Sequence, residues 1–146
     1  MICDGDAQTL ASHRERLPGV RTTASVAAVA MAGDIDAVAL ATPTVTHGAL
    51  ARGLLEAGKS VLVEKPLCMD PVEARALGEL AGERALVLMT GHLLLYHPAF
   101  CALAAFIAAG GVGEPRYIGA QRLNFRPARS EDDALWDIAP HDVSMI

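Results

Sequence analysis

The sequence predicts an α/β protein: a partial doubly wound parallel sheet followed by the start of a second, α+β domain. Three observations predict it. Short apolar runs alternate with helix-patterned stretches from residue 1 to residue 90, the order that joins parallel strands through helical crossovers. The run Ser60-Val61-Leu62-Val63 is apolar and β-branched, as in strands buried on both faces of a parallel sheet, and it stops abruptly at Glu64-Lys65-Pro66. Beyond Gly113 the alternation gives way to a longer, partly polar stretch, which sets the expected domains at 1–112 and 113–146.

Taken in order, Met1-Ile2-Cys3 is an apolar trio ended by Asp4 and the turn Gly5-Asp6, the tail of a strand. Asp6 caps the next helix, and Leu17-Pro18-Gly19 stops it. A short strand is expected over 20–22. Ser25 then caps an alanine-rich helix that Gly33 closes. Residues 37–41 form the next buried strand and run into Thr42-Pro43; Thr44 or Thr46 caps a helix reaching Ala57, with Gly58 as its stop. Asp70-Pro71-Val72-Glu73 combines an N-cap, proline at the first helical position and a capping-box acid, which predicts a helix over 71–83. Residues 86–90 read as a strand, and 98–109 as a helix stopped by Gly110-Gly111. The partly alternating stretch 116–124 reads as a strand of a second sheet with one wet face. A loop over 126–133 and a helix from about Leu135 complete the expectation.

Composition narrows the class of function. The 146 residues are 52% hydrophobic and 20% charged, the balance of a soluble domain with a real core. A net charge of −5 and a pI near 5.4 argue against nucleic-acid or anionic-membrane surfaces as partners. No apolar run reaches the roughly 18 residues of a membrane span, and no secretory leader pattern opens the chain, so the cytoplasm is the expected location. Cys3, Cys68 and Cys101 are far apart and lack a C-x-x-C spacing, and they read as small buried hydrophobes.

Several residues are placed to carry chemistry. Ligands in open α/β sheets bind beyond the carboxyl ends of the strands, where Lys65 is delivered. Asp4 has the place of an acid that hydrogen-bonds an adenosine ribose, although only three residues precede it; the bland reading is a turn residue. Gly110-Gly111-Val112-Gly113 follows a helix and precedes a strand, the wrong order for a phosphate cradle, and reads as a turn. Asp137 and His141 are four apart, so on a helix they share one face, as a base with its orienting carboxylate or as a helix-start cap. His92 and His97 have no third ligand near in sequence, so no metal site is expected. His13 reads as a solvated helix residue. Arg122, Asn124, Arg126 and Arg129 are suited to an anionic substrate or simply to solubility.

Read together, several short stretches become specific. Ala41-Thr42-Pro43-Thr44-Val45-Thr46-His47, Glu64-Lys65-Pro66, Gly91-His92, Tyr96-His97-Pro98-Ala99, Gly113-Glu114-Pro115 and Trp136-Asp137-Ile138-Ala139-Pro140-His141-Asp142 occur in this order. The ordered set resembles the glucose-fructose oxidoreductase, inositol dehydrogenase and MocA family over nearly the whole chain. The resemblance implies a Rossmann-like NAD(P)-binding domain and a C-terminal domain for substrate binding and oligomerisation, hence a homo-oligomer. It departs from the family pattern in lacking the first strand with its glycine-rich turn and most of the second domain, so the chain reads as a fragment.

Residue by residue, the resemblance implies that Asp4 holds the adenosine ribose and that Thr42, Pro43 and His47 line the cofactor channel. Glu64 and Lys65 reach the nicotinamide ribose and the substrate, with Pro66 and His92 also on the cofactor side. Lys65, His141 and Asp137 are the implied catalytic set, and Arg122, Asn124, Arg126 and Trp136 the implied substrate contacts. The cofactor is NAD or NADP, and an acid at Asp4 would repel a 2'-phosphate, which favours NAD. The expected substrate is a sugar or sugar nucleotide whose secondary hydroxyl becomes a ketone. Alternatives are an inositol-type polyol dehydrogenase, or a non-catalytic module that pairs with another polypeptide through an open sheet edge.

Overall fold

The computed structural model describes residues 1–121 and 134–146, which divide into two compact units, Met1–Met89 and Thr90–Ile146. That division falls before the glycine-rich turn at which the sequence reading sets its boundary.

In the first unit, β1 (Ile2–Cys3) pairs in parallel with β2 (Thr22–Thr23), and β3 (Ala37–Leu40) in parallel with β4 (Ser60–Val63), beyond which lies β5 (Leu88–Thr90) in the order β3-β4-β5. The strands alternate with α1 (Ala7–Arg16), α2 (Val26–Met31), α3 (His47–Glu56) and α4 (Pro71–Glu83). The expected alternation is therefore present, and the helix over 71–83 has the predicted ends. Local chemistry explains most boundaries. The Asp6 carboxylate accepts from the Gln8 and Thr9 amides, Ser25 from Ala28, and Asp70 from Val72. Gly58, at φ +79°, takes the left-handed turn that ends α3. One expected cap is absent: the Thr46 side chain caps nothing, because its hydroxyl donates to the Pro43 carbonyl at 2.7 Å within a 3-10 turn over Thr44–Thr46.

The strands are not buried on both faces, contrary to the expectation for this run. Leu40, Val61 and Val63 point into a core completed by Val29, Ala51, Leu54, Leu55, Cys68, Leu77 and Ala81 from α2, α3, α4 and the loop after β4. On the opposite face Ala37 and Ala39 are exposed and Leu62 retains 42% of its surface. Because side chains alternate along a strand, helices packed on one side bury every second residue only.

In the second unit, α5 (Pro98–Ala108) follows a 3-10 turn over Leu93–Tyr96, and α6 (Ala134–Val143) begins one residue before the predicted start. The turn at Gly110-Gly111-Val112-Gly113 is present, with Gly110 at φ +81°. The expected strand over 116–124 is not found over 116–121, which has no regular structure and is exposed; its remainder, and the loop expected over 126–133, lie outside the described residues. A strand needs a neighbour to take its ladder hydrogen bonds, and among the described residues none lies beside it. No helix is long and apolar enough to cross a membrane among the described residues.

The cysteines correct a further expectation. Cys68 is buried, Cys3 half-buried and Cys101 exposed. Burial raises the Cys68 and Cys3 thiol pKa values, and at Cys3 the neighbouring Asp4 carboxylate adds to the effect. Thiolate is the reactive form, so iodoacetamide under native conditions should label Cys101 first and Cys68 last. Peptide mapping after timed quenching checks that order. In the first unit, Asp70→Ala should cost about 1 kcal/mol of stability in a urea melt through loss of the α4 cap.

Candidate active site

The site is built where β3 and β4 end. The β3–β4 ladder runs on past the strands through the Glu64 amide, which donates to the Leu40 carbonyl at 2.9 Å, so the two chains leave the sheet side by side. Beyond that bond β3 continues as Ala41-Thr42-Pro43, all exposed, and β4 as Glu64 (exposed), Lys65 (half-buried) and Pro66 (buried), with a cis Lys65-Pro66 peptide bond. The two buried valines of β4 therefore aim the backbone at the sheet edge and deliver Lys65 there.

His47 joins the two loops from beneath. It is the first residue of α3 and only 1% exposed. Its Nδ1 lies 2.8 Å from the Pro66 carbonyl oxygen and its Nε2 2.8 Å from that of Thr42. A carbonyl oxygen only accepts, so each contact is satisfied when the facing nitrogen carries its proton. This placement departs from the expectation that His47 lines a channel. Both ring nitrogens are committed to backbone, and the ring sets the positions of the loops that carry Thr42, Pro43 and Lys65. Nearby, the Thr46 and Thr42 hydroxyls are 2.8 Å apart, which ties the 3-10 turn to the end of β3.

Two further side chains, not singled out by sequence reasoning for this role, brace the frame. A Cβ placed on Gly48 would run into the Glu73 carboxylate, so glycine there lets α4 bring an acid against the first turn of α3, where helix N-termini favour negative charge. Lys59, 8% exposed, donates to the Ala32 and Ile35 carbonyls, each at 2.7 Å, and closes the end of α2 onto the entry to β3. Neither partner is adjacent in sequence, so no spacing signal announces them.

Asp4 stands at the end of β1, half-buried, and its Oδ1 accepts from the Asp6 amide at 2.8 Å. The turn role is thus real, and the carboxylate remains at the carboxyl end of its strand, as Thr42 and Lys65 are at theirs. Polar side chains, half-buried at Asp4 and Lys65 and exposed at Thr42, thus stand at three strand ends.

In the second unit, His97 serves as the N-cap of α5, its Nδ1 accepting from the Ala99 amide at 3.2 Å. The Nδ1 of His92 is enclosed and makes no hydrogen bond among the described residues, a polar atom for which a ligand would be a suitable partner. On α6, Trp136, Asp137 and His141 are half-buried, and Asp137 and His141 are one helical turn apart. Pro140 lies inside this helix and has no N–H for the Trp136 carbonyl, while the Ser144 hydroxyl donates to the His141 carbonyl at 3.0 Å. Arg122, Asn124, Arg126 and Arg129 lie outside the described residues.

Residues 1–92 match the model of an oxidoreductase family with an NAD-binding Rossmann fold. The chain is 40% identical over 117 residues to UDP-N-acetylglucosamine 3-dehydrogenase of Acidithiobacillus ferrooxidans, a match spanning 80% of this chain and 36% of that protein. The crystal structure of that dehydrogenase superposes with a TM-score of 0.81 at 37% identity, covering 98% of this chain and 45% of that one. GenD2 from gentamicin A biosynthesis, solved with NAD, gives a TM-score of 0.71 at 32% identity over 75% of this chain and 31% of that one. KijD10, a 3-ketoreductase from Actinomadura kijaniata solved with NADP and TDP-benzene, gives 0.68 at 33% identity over 75% and 33%. The chain thus spans less than half the length of each of these relatives.

Removing the His47 ring should strip the Pro66 and Thr42 carbonyls of their partner and leave a cavity between two loops. His47→Ala is expected to lower stability by about 2–4 kcal/mol. Urea denaturation followed by far-UV circular dichroism measures the change, and a loss under about 0.5 kcal/mol, the level of an ordinary surface substitution, would show that the loops are held by other means.

Proposed function

Because this chain belongs to the Gfo/Idh/MocA family of NAD-binding oxidoreductases, we propose that it forms part of an NAD(P)-dependent dehydrogenase that oxidises a secondary hydroxyl of a sugar nucleotide to a ketone. The observation that carries the reading is the convergence of Thr42-Pro43 and Glu64-Lys65-Pro66 on the single imidazole of His47. That arrangement presents a lysine on fixed backbone at the edge of a parallel sheet. The sugar-nucleotide class rests on the likeness to UDP-N-acetylglucosamine 3-dehydrogenase.

A nicotinamide cofactor, when bound, supplies the hydride acceptor. Thr42, Pro43 and Glu64 would lie along it, Asp4 would accept from its adenosine ribose, and His92 would offer Nδ1 to it. Oxidation also releases a proton from the substrate hydroxyl. In this reading His141 takes it, since imidazole exchanges protons near neutral pH, and Asp137, one turn earlier on α6, orients the ring. The Lys65 ammonium lowers the cost of charge developing on the alcohol oxygen. Trp136, beside Asp137, would flank the sugar, and Arg122, Asn124 and Arg126 would hold its phosphates. Asp4 favours NAD over NADP through repulsion of a 2'-phosphate.

A chimaera in which these residues replace the matching stretch of the Acidithiobacillus ferrooxidans dehydrogenase tests the assignment. With UDP-N-acetylglucosamine and NAD, His141→Ala should lower kcat by about 100-fold or more and leave NADH affinity nearly unchanged. Asp137→Asn should act in the same direction more weakly, and Lys65→Ala should weaken both binding and turnover. If His141→Ala keeps more than about a tenth of the turnover, well above the loss of a positioned acid–base group, the proton passes through another residue.

A further inference from the structure

The two contacts that place His47 also fix its charge. Nδ1 faces the Pro66 carbonyl oxygen and Nε2 that of Thr42, each at 2.8 Å. A neutral imidazole has a single N–H, so a neutral ring would set a lone pair against one of two oxygens that can only accept. Satisfying both takes the doubly protonated ring, an imidazolium that is 1% exposed. Two features oppose a cation at this place. Burial removes its hydration, and the ring belongs to the first residue of α3, at the positive end of a helix. A buried charge persists only where an opposite charge or dipole offsets it.

That opposite charge comes from Glu73 of α4. A Cβ on Gly48, the residue after His47, would land on both oxygens of the Glu73 carboxylate, which therefore lies against the first turn of α3. The same carboxylate hydrogen-bonds with the thiol of Cys68, a buried residue two positions after Pro66 whose Sγ also meets the Asp70 carbonyl oxygen at 3.2 Å. Glu73 thus touches both the helix that carries His47 and the loop that the Nδ1 of His47 holds.

We propose that His47 joins the two loops as an imidazolium and that Glu73 is the positioning residue that keeps it so, through the counter-charge it places beside the ring's own helix turn. Loss of one ring proton would release either the Thr42 carbonyl or the Pro66 carbonyl, and with the second the backbone next to Lys65. The charge of the ring rests on the geometry of this unit alone. Its consequence for turnover rests on the dehydrogenase reading, in which Lys65 acts from that loop.

A long-range proton–nitrogen correlation spectrum of the histidine rings in the 146-residue chain at neutral pH tests the charge, with the His47 signals assigned by their loss in His47→Gln. Both ring nitrogens should resonate at nearly the same shift, each bearing a proton, which is the pattern of an imidazolium. In Glu73→Gln, which keeps the size of the side chain and removes its charge, they should separate into the protonated and unprotonated pair of a neutral ring. Asp70→Ala loosens the same helix by removing its cap and should leave the imidazolium pattern in place. A neutral pattern in the unaltered chain would overturn the proposal, and so would an imidazolium unchanged by Glu73→Gln. In the chimaera with the Acidithiobacillus ferrooxidans dehydrogenase, Glu73→Gln should lower kcat by about tenfold or more through misplacement of Lys65, and Asp70→Ala by far less. Equal losses from the two variants would overturn the positioning role. A chimaera inactive before any substitution would count against the dehydrogenase reading instead, and the ring signals would still decide the charge and its dependence on Glu73.

Discussion

The imidazole of His47 links two segments that nothing in the sheet itself holds together once β3 and β4 have ended. A parallel ladder fixes its strands only as far as its hydrogen bonds run, and here the last of them joins Glu64 to Leu40. Past that point the Thr42 and Pro66 carbonyls would have only water for partners in two independent loops. One ring, 1% exposed, meets both at 2.8 Å. Its own position is set by α3, which Ala51, Leu54 and Leu55 anchor in the core. The placement of Thr42, Pro43 and Lys65 therefore descends from core packing through a single side chain. A low-dielectric setting makes those contacts strong and also makes losing them expensive.

The same unit shows how a thin α/β layer divides its labour. Helices α2, α3 and α4 bury Val61, Val63 and Leu40 on one face, and the other face keeps Ala37, Ala39 and Leu62 in contact with solvent. Polar residues brace the elements rather than fill the core. Lys59 closes two carbonyls at the entry to β3, and the Glu73 carboxylate sits against Gly48 at the start of α3. Each is a charged group brought to the end of a backbone element, where unpaired amides or carbonyls give it a favourable partner. The result is a frame whose strand termini are positioned from below while their side chains stay accessible from above.

Legibility from sequence followed the range of the interaction. Asp6, Ser25 and Asp70 cap helices because a short polar side chain reaches an amide two or three residues on, and that chemistry is readable in a tetrapeptide. Gly58 and Gly110 end helices for an equally local reason, a left-handed backbone conformation. Thr46 looked like a cap by the same logic and is not one, because the Pro43 carbonyl offered a nearer partner within the turn. The stretch 116–124 alternates in part, yet pairing is a property of two segments, and among the described residues no second one lies beside 116–121.

By itself, the sequence determined the alternation of strands and helices, most of their boundaries, the delivery of Lys65 to the end of β4, and the family to which the ordered motifs belong. All of these follow from periodicity, capping and turn chemistry, which act within a few residues. Only the tertiary structure decided that His47 holds two loops, that the sheet is covered on one face, that Cys101 is exposed, and that the Glu73 carboxylate lies against Gly48. The Nδ1 of His47 meets a carbonyl 19 residues away, and Glu73 comes to face Gly48 only through the path of the chain across β4. Such contacts depend on where the chain returns in space, and no local pattern of residue types encodes that return.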